Sequence, residues 1–113
     1  MSSKTPPLGS LKDRVQLQTK VTTTEPDAGA ETNFIPLATV WARVHVRARP
    51  LKAEGDARTA TATHNVVMRF RTDLSPGDRI LYRGDVLEVE AAHDLNGRRA
   101  YLSCACAQTK IAG

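Results

Sequence analysis

The chain of 113 residues predicts an all-β fold, a small six-stranded antiparallel β-barrel or sandwich with long loops. Three observations carry that expectation. Apolar and polar residues alternate with period two through most of the sequence, no stretch holds an apolar stripe of helical period, and turn signals punctuate the second half at short, regular intervals. The length suits one domain, which by area scaling buries about 65% of the surface its unfolded form exposes. One domain is therefore expected over residues 11–107, between a flexible amino-terminal segment 1–10 and a carboxy-terminal tail 108–113.

The first strand is expected from Leu11 to Gln18, where Val15 and Leu17 alternate with Arg14, Gln16 and Gln18. Thr22 to Pro36 gathers Pro26, Gly29 and Pro36 with Glu25, Asp27 and Glu31, the composition of an exposed loop. The clearest strand runs from Ala38 to Arg49. Its Val40, Ala42, Val44, Val46 and Ala48 point one way, toward a core, and Trp41, Arg43, His45, Arg47 and Arg49 the other, toward water or a partner. Pro50 to Ala57 breaks the pattern with Pro50, Gly55 and the mixed charges Lys52, Glu54 and Asp56, and is expected to be a loop. Alternation resumes from Arg58 to Arg71, with Ala60, Ala62, His64, Val66, Met68 and Phe70 on one face. These two long strands are expected to pair as a hairpin.

Ser75-Pro76-Gly77-Asp78 is a turn, because proline presets its first central position and glycine accepts a positive φ at the second. It leads into a strand over Arg79 to Tyr82, and Gly84-Asp85 turns the chain back into Val86 to Ala91. Asn96-Gly97, the best short hairpin signal present, introduces a last strand from Arg98 to Ala107.

Composition narrows the function. The hydrophobic fraction is 41% and the charged fraction 25%, as in ordinary soluble domains. Only five side chains are aromatic, Phe34, Trp41, Phe70, Tyr82 and Tyr101, so stacking on bases or sugars has few candidates and the core must be aliphatic. A formal charge of +4 permits polyanionic partners without demanding them. No apolar run reaches the length of a membrane span, and Met1 to Pro7 lacks the apolar stretch of a signal peptide, so a cytosol-like compartment and no membrane association are expected. Cys104 and Cys106 fall on one face of a strand, a spacing unsuited to an ordinary disulfide, and are expected to be buried free thiols.

No catalytic constellation emerges. His45, His64 and His93 belong to no metal-binding spacing, and Cys104-Ala105-Cys106 has no second cysteine pair to complete a zinc site. Nucleophile elbows, phosphate-cradling glycine loops and dinucleotide fingerprints are missing from the sequence, so neither an enzyme nor a cofactor or metal is expected. Arg83-Gly84-Asp85 spells an adhesion tripeptide but is placed here as a hairpin turn. The most distinctive electrostatic feature is the basic row Arg43, His45, Arg47 and Arg49, continued by Lys52 and Arg58. On a strand these residues stand about 7 Å apart on one face, a spacing fit for phosphates or for the acidic side chains of another subunit. A solvated, edge-protecting charged face is the plain reading of the same row.

Taken in order, four segments resemble the head-tail joining proteins of tailed bacteriophages, also called head-closure or stopper proteins, with versions in gene transfer agents. They are Leu11 to Gln18, Ala38 to Val44, Thr63 to Arg71 and Gly77 to Val89, so the similarity spans the chain from Leu11 to about Cys106. The resemblance implies a ring of six or twelve copies at the head-tail junction of a virion or virus-like particle, made in the bacterial cytoplasm. Its implied partners are portal-adaptor proteins on the head side, a tail terminator on the tail side, and double-stranded DNA that passes without being read. It also implies that the connection between the second and third strands reaches the channel axis, here Arg49, Pro50, Leu51, Lys52, Ala53, Glu54, Gly55, Asp56, Ala57 and Arg58. For subunit contacts the expected residues are Arg43, His45 and Arg47 against Glu25, Asp27 and Glu31 of the acidic loop, since a ring needs two different complementary surfaces. The alternative reading is a small basic nucleic-acid-binding β-barrel.

Overall fold

A computed structural model describes residues 11–26, 29–51 and 62–109 of the chain. Among them are six strands, β1 (Asp13–Glu25), β2 (Gly29–Leu51), β3 (Ala62–Arg69), β4 (Arg79–Tyr82), β5 (Asp85–Asp94) and β6 (Tyr101–Thr109). They close into a barrel in the order β1-β2-β3-β6-β5-β4, every neighbouring pair antiparallel. Closure settles the choice between barrel and sandwich: Gln16 to Gln18 of β1 pair with Leu81 to Arg79 of β4, which joins the first strand to the fourth. The two long strands β2 and β3 pair as expected, Ala42 facing Met68 and His45 facing Asn65.

Inward positions follow the period-two alternation. Val15, Leu17, Ala42, Val66, Met68, Ile80, Leu87, Val89, Cys104 and Cys106 are all buried, so the core is aliphatic with two thiols, as an aromatic-poor composition requires. Both cysteines are free and neighbour each other along one face of β6.

Several expectations need correction. Thr22 to Pro36 is not a loop: β1 runs on to Glu25 and returns from Gly29 in continuous register, Thr19 facing Ile35 and Thr24 facing Ala30, with Gly29 at φ 78° after the turn. This two-stranded arm extends past the barrel, and most of its side chains are exposed on both faces. The β-branched run Val21 to Thr24 favours extended backbone, yet with no buried face it shows no apolar alternation. Pro36, which has no N–H to donate, sits at the irregularity where Leu17 faces Ala38 and Gln18 faces Pro36, leaving Leu37 as the extra residue.

At the other end of β2, Val46 is 59% exposed rather than part of the core. β1 stops pairing at Asp13, whose Oδ2 accepts the Val44 N–H at 2.9 Å, so Val46, still paired with His64 of β3, has run past the end of β1 and loses cover on that side. The strand continues to Leu51, which faces Ala62 across a register shift; Arg49, Pro50 and Leu51 therefore belong to β2, and residues 52–58 lie outside the described residues. β3 begins at Ala62, and 58–61 also fall outside.

The turns of the second half are largely as expected. Asp78 N–H donates to the Ser75 carbonyl at 3.0 Å with Gly77 at φ 97°. Arg83 and Gly84 both take positive φ in a two-residue turn between Tyr82 and Asp85, so Arg83-Gly84-Asp85 is turn chemistry. Asn96-Gly97 is different. Both residues are left-handed, but they close a 3-10 turn over Leu95–Gly97 inside a longer loop, and pairing resumes with Asp94 facing Leu102. The Asp94 carboxylate accepts the Arg99 N–H at 2.9 and 3.0 Å and holds that loop, which moves the start of β6 from Arg98 to Tyr101; the strand then reaches Thr109.

Candidate functional site

Among the described residues, the groups with reactive potential inside the barrel are one histidine and two thiols. His64 is buried on β3, where the Thr63 hydroxyl accepts the Gln108 N–H at 2.8 Å and lies 2.7 Å from Nδ1, leaving its hydrogen for that nitrogen. Burial pushes the imidazole pKa below its ordinary 6.5, opposed by the charge of Asp85. Burial likewise pushes the Cys104 thiol up to about 12 and raises Cys106, so both are poor nucleophiles. His45 and His93 are exposed on β2 and β5, and the three histidines do not converge. No group of three or more potential metal ligands occurs among the described residues.

His64 makes a prediction. The unfolded chain protonates this imidazole near 6.5 while the folded chain keeps it neutral to lower pH, so the unfolded state binds the additional proton and stability is lost as pH falls below 6.5. Melting temperature should drop between about pH 7 and pH 5, and His64→Gln should flatten that part of the profile.

Charge on the outer wall is organised by strand. From Ala38 to Leu51, β2 carries Arg43, His45, Arg47 and Arg49 and no acid. Arg43 and His45 are exposed, while Arg47 is half-buried with its Nε lacking a partner among the described residues. Their neighbours across the sheet, Val67 and Asn65, are neutral. The expected acidic partners lie elsewhere. Glu31 is exposed on the arm, where its Oε1 accepts from Asn33 Nδ2 at 3.2 Å. Along an extended strand it is on the order of 40 Å from Arg43, so one chain does not bring the two together. Glu25 closes β1, and Asp27 lies outside the described residues.

The acidic strand that sequence reasoning missed is β5, which carries neither lysine nor arginine: Glu88 and Glu90 alternate with the buried Leu87 and Val89, whereas Asp85 and Asp94 share the side of their core-packed partners Tyr82 and Leu102. In the closed order two strands separate β5 from β2 whichever way one counts, so the basic and acidic strands lie on opposite sides of the barrel. The alternating Glu88 and Glu90 were legible as the polar side of a strand; their position opposite the arginines depends on closure, which no local pattern announces.

Comparison with known proteins agrees with this architecture. The sequence model of the phage head completion protein family matches residues 6–109. Among solved structures, the solution structure of protein SF1141 from Shigella flexneri 2a superimposes with a TM-score of 0.66 at 23% identity, covering 89% of this chain and 95% of that one. A chain in the virion of a native gene transfer agent particle superimposes with a TM-score of 0.64 at 19% identity, covering 88% of this chain and 96% of its own. At these identities the likeness is one of fold. Comparison with curated protein sequences yields no match. With its family model matched over nearly the whole length and its barrel shared with both structures, the chain belongs to the phage head completion protein family.

Proposed function

We propose that this head completion protein works as one subunit of a ring at the head-tail junction, between portal-adaptor and tail, where it retains packaged DNA and lets it pass on ejection. One observation carries the proposal: β2 is basic, β5 is acidic, and they face opposite directions from one barrel. A head-to-tail contact joins two different surfaces and closes into a ring when its rotation does. Opposite charge on opposite sides favours that mode over a two-fold dimer, in which each surface would meet itself. The connection between Leu51 and Ala62 is assigned to the channel, because β2 runs past the end of β1 before that connection begins.

Co-sedimentation tests the proposal. The purified chain should sediment with DNA-filled heads that lack it and should stabilise them against DNA loss, while showing no salt-dependent affinity for free duplex. Binding to free duplex with a steep salt slope, and none to heads, would instead establish a small nucleic-acid-binding barrel.

A further inference from the structure

The arm and the outer face of the barrel each leave a feature that the fold does not use. Ile35 on the arm is 47% exposed and Trp41, the chain's single tryptophan, 53% exposed. Trp41 walls a groove of about 230 Å³ whose other sides are Leu11, Val40, Met68 and Phe70, with Arg69 and Arg71. Above it a wider recess is lined by Leu11, Lys12, Trp41 and Arg69. The groove is rimmed by cations. Arg14 holds its guanidinium 4.9 Å from the centre of the Trp41 ring, and Lys12, Arg14 and Arg69 are exposed with no carboxylate partner among the described residues. Arg71 is the exception, since Asp73 binds it at 2.7 and 2.9 Å.

The arm has the complementary character. Between Lys20 and Arg43 the charged residues are Glu25, Asp27 and Glu31, all acids. The same stretch carries the exposed Ile35. The arm leans on the acidic side of the barrel: Phe34 lies under the Arg79 guanidinium at 3.7 Å, and Arg79 pairs across β4 and β5 with Glu88. The groove instead shares the β2 face with Arg43. One copy therefore presents arm and β5 on one side, groove and basic β2 on the other.

We propose that the groove at Trp41 receives the β1–β2 arm of the neighbouring copy, with Ile35 over the indole and the arm's acids among Lys12, Arg14 and Arg69. This rests on the ring reading and names the element that joins its subunits. It gives Glu31 a basic partner on the next copy. An apolar anchor ringed by charge pairs, centred on tryptophan and arginine, is the composition of an interface hot spot. Duplex DNA fits the site poorly, because most of the groove lining is apolar and the arm that borders the opposite face is acidic.

Trp41 is its own reporter. Full-length protein is followed from micromolar to millimolar concentration by sedimentation velocity and tryptophan emission together. The emission maximum should move to shorter wavelength in step with the rise in sedimentation coefficient. Ile35→Ser and Arg69→Glu should each require at least tenfold more protein for association, at unchanged melting temperature, and should lose the emission shift. A mixture of Glu31→Lys with Arg69→Glu should recover it, since the arm of the second fits the groove of the first. Association that leaves Trp41 emission unmoved overturns the arm contact and leaves the ring standing; a chain that stays monomeric at all concentrations overturns both. An emission shift produced by a short duplex DNA and not by protein concentration would assign the groove to nucleic acid and overturn the proposal.

Discussion

Changing Arg43 and Arg47 together to Glu is expected to abolish self-association, raising the protein concentration needed by at least about a hundredfold, because like charges brought face to face cost several kcal/mol. Under the head-to-tail arrangement the reversed β2 meets Glu88 and Glu90 of the next copy with the wrong sign. The fold should survive: Arg43 is exposed and the Arg47 Nε has no partner to lose among the described residues, so melting temperature stays within about 2 °C of wild type. Glu88→Lys with Glu90→Lys should fail in the same way alone. Mixing the two double variants should restore pairing, since each then offers the other a matched face. Raising salt from about 0.05 to about 0.5 M should weaken wild-type association in the same direction, because contacts between exposed charges are screened over a few Ångström at high ionic strength. Association indifferent to all three manipulations would remove charge from the subunit contact.

The contrast between β3 and the arm explains how far the sequence could be read. His64, Val66 and Met68 alternate with Asn65, Val67 and Arg69 because one face of β3 is core and the other is not, and that asymmetry is visible without coordinates. The arm is equally extended, yet Thr22 to Thr24 and Ala30 to Asn33 are exposed on both faces, so its composition is that of a loop. Chemistry at single positions was legible for the same local reason. Gly77 and Gly84 adopt the positive φ that their turns require, whereas Asn96-Gly97 misled because Asp94 captures the Arg99 N–H and lengthens the connection. The basic row on β2 was visible as a pattern; its opposition to β5, and the meeting of Leu11, Trp41 and Phe70 in one groove, depend on contacts between residues far apart in sequence.

The same dependence on distant contacts singles out Asp78→Ala as the most damaging change to the fold. Asp78 follows the proline and glycine of its turn, where an aspartate looks like ordinary turn chemistry, but it is 5% exposed. One carboxylate oxygen accepts the Lys20 N–H at 2.9 Å and the Thr19 hydroxyl at 3.4 Å; the other accepts the Ser75 N–H at 2.8 Å. Its backbone continues the latch, with Val89 N–H donating to the Asp78 carbonyl at 2.9 Å and Gly77 N–H donating to the Val89 carbonyl at 2.8 Å. The turn thereby ties β1 to β5 beside the short β1–β4 pairing that closes the barrel. Alanine leaves two backbone N–H groups unmet in a part-buried site, at about 1–3 kcal/mol each, so the expected loss is about 3 kcal/mol, or roughly 10 °C in melting temperature for a domain of this size. Asp78→Asn keeps one acceptor oxygen and should recover about half. Amide exchange separates this from a general weakening: with the latch gone, the amides of Lys20 and Leu81 should lose protection before those of Val66 and Cys104, because closure fails at the β1–β4 seam while β3 and β6 remain paired. Uniform loss of protection around the barrel would show that Asp78 stabilises the fold as a whole and not its seam.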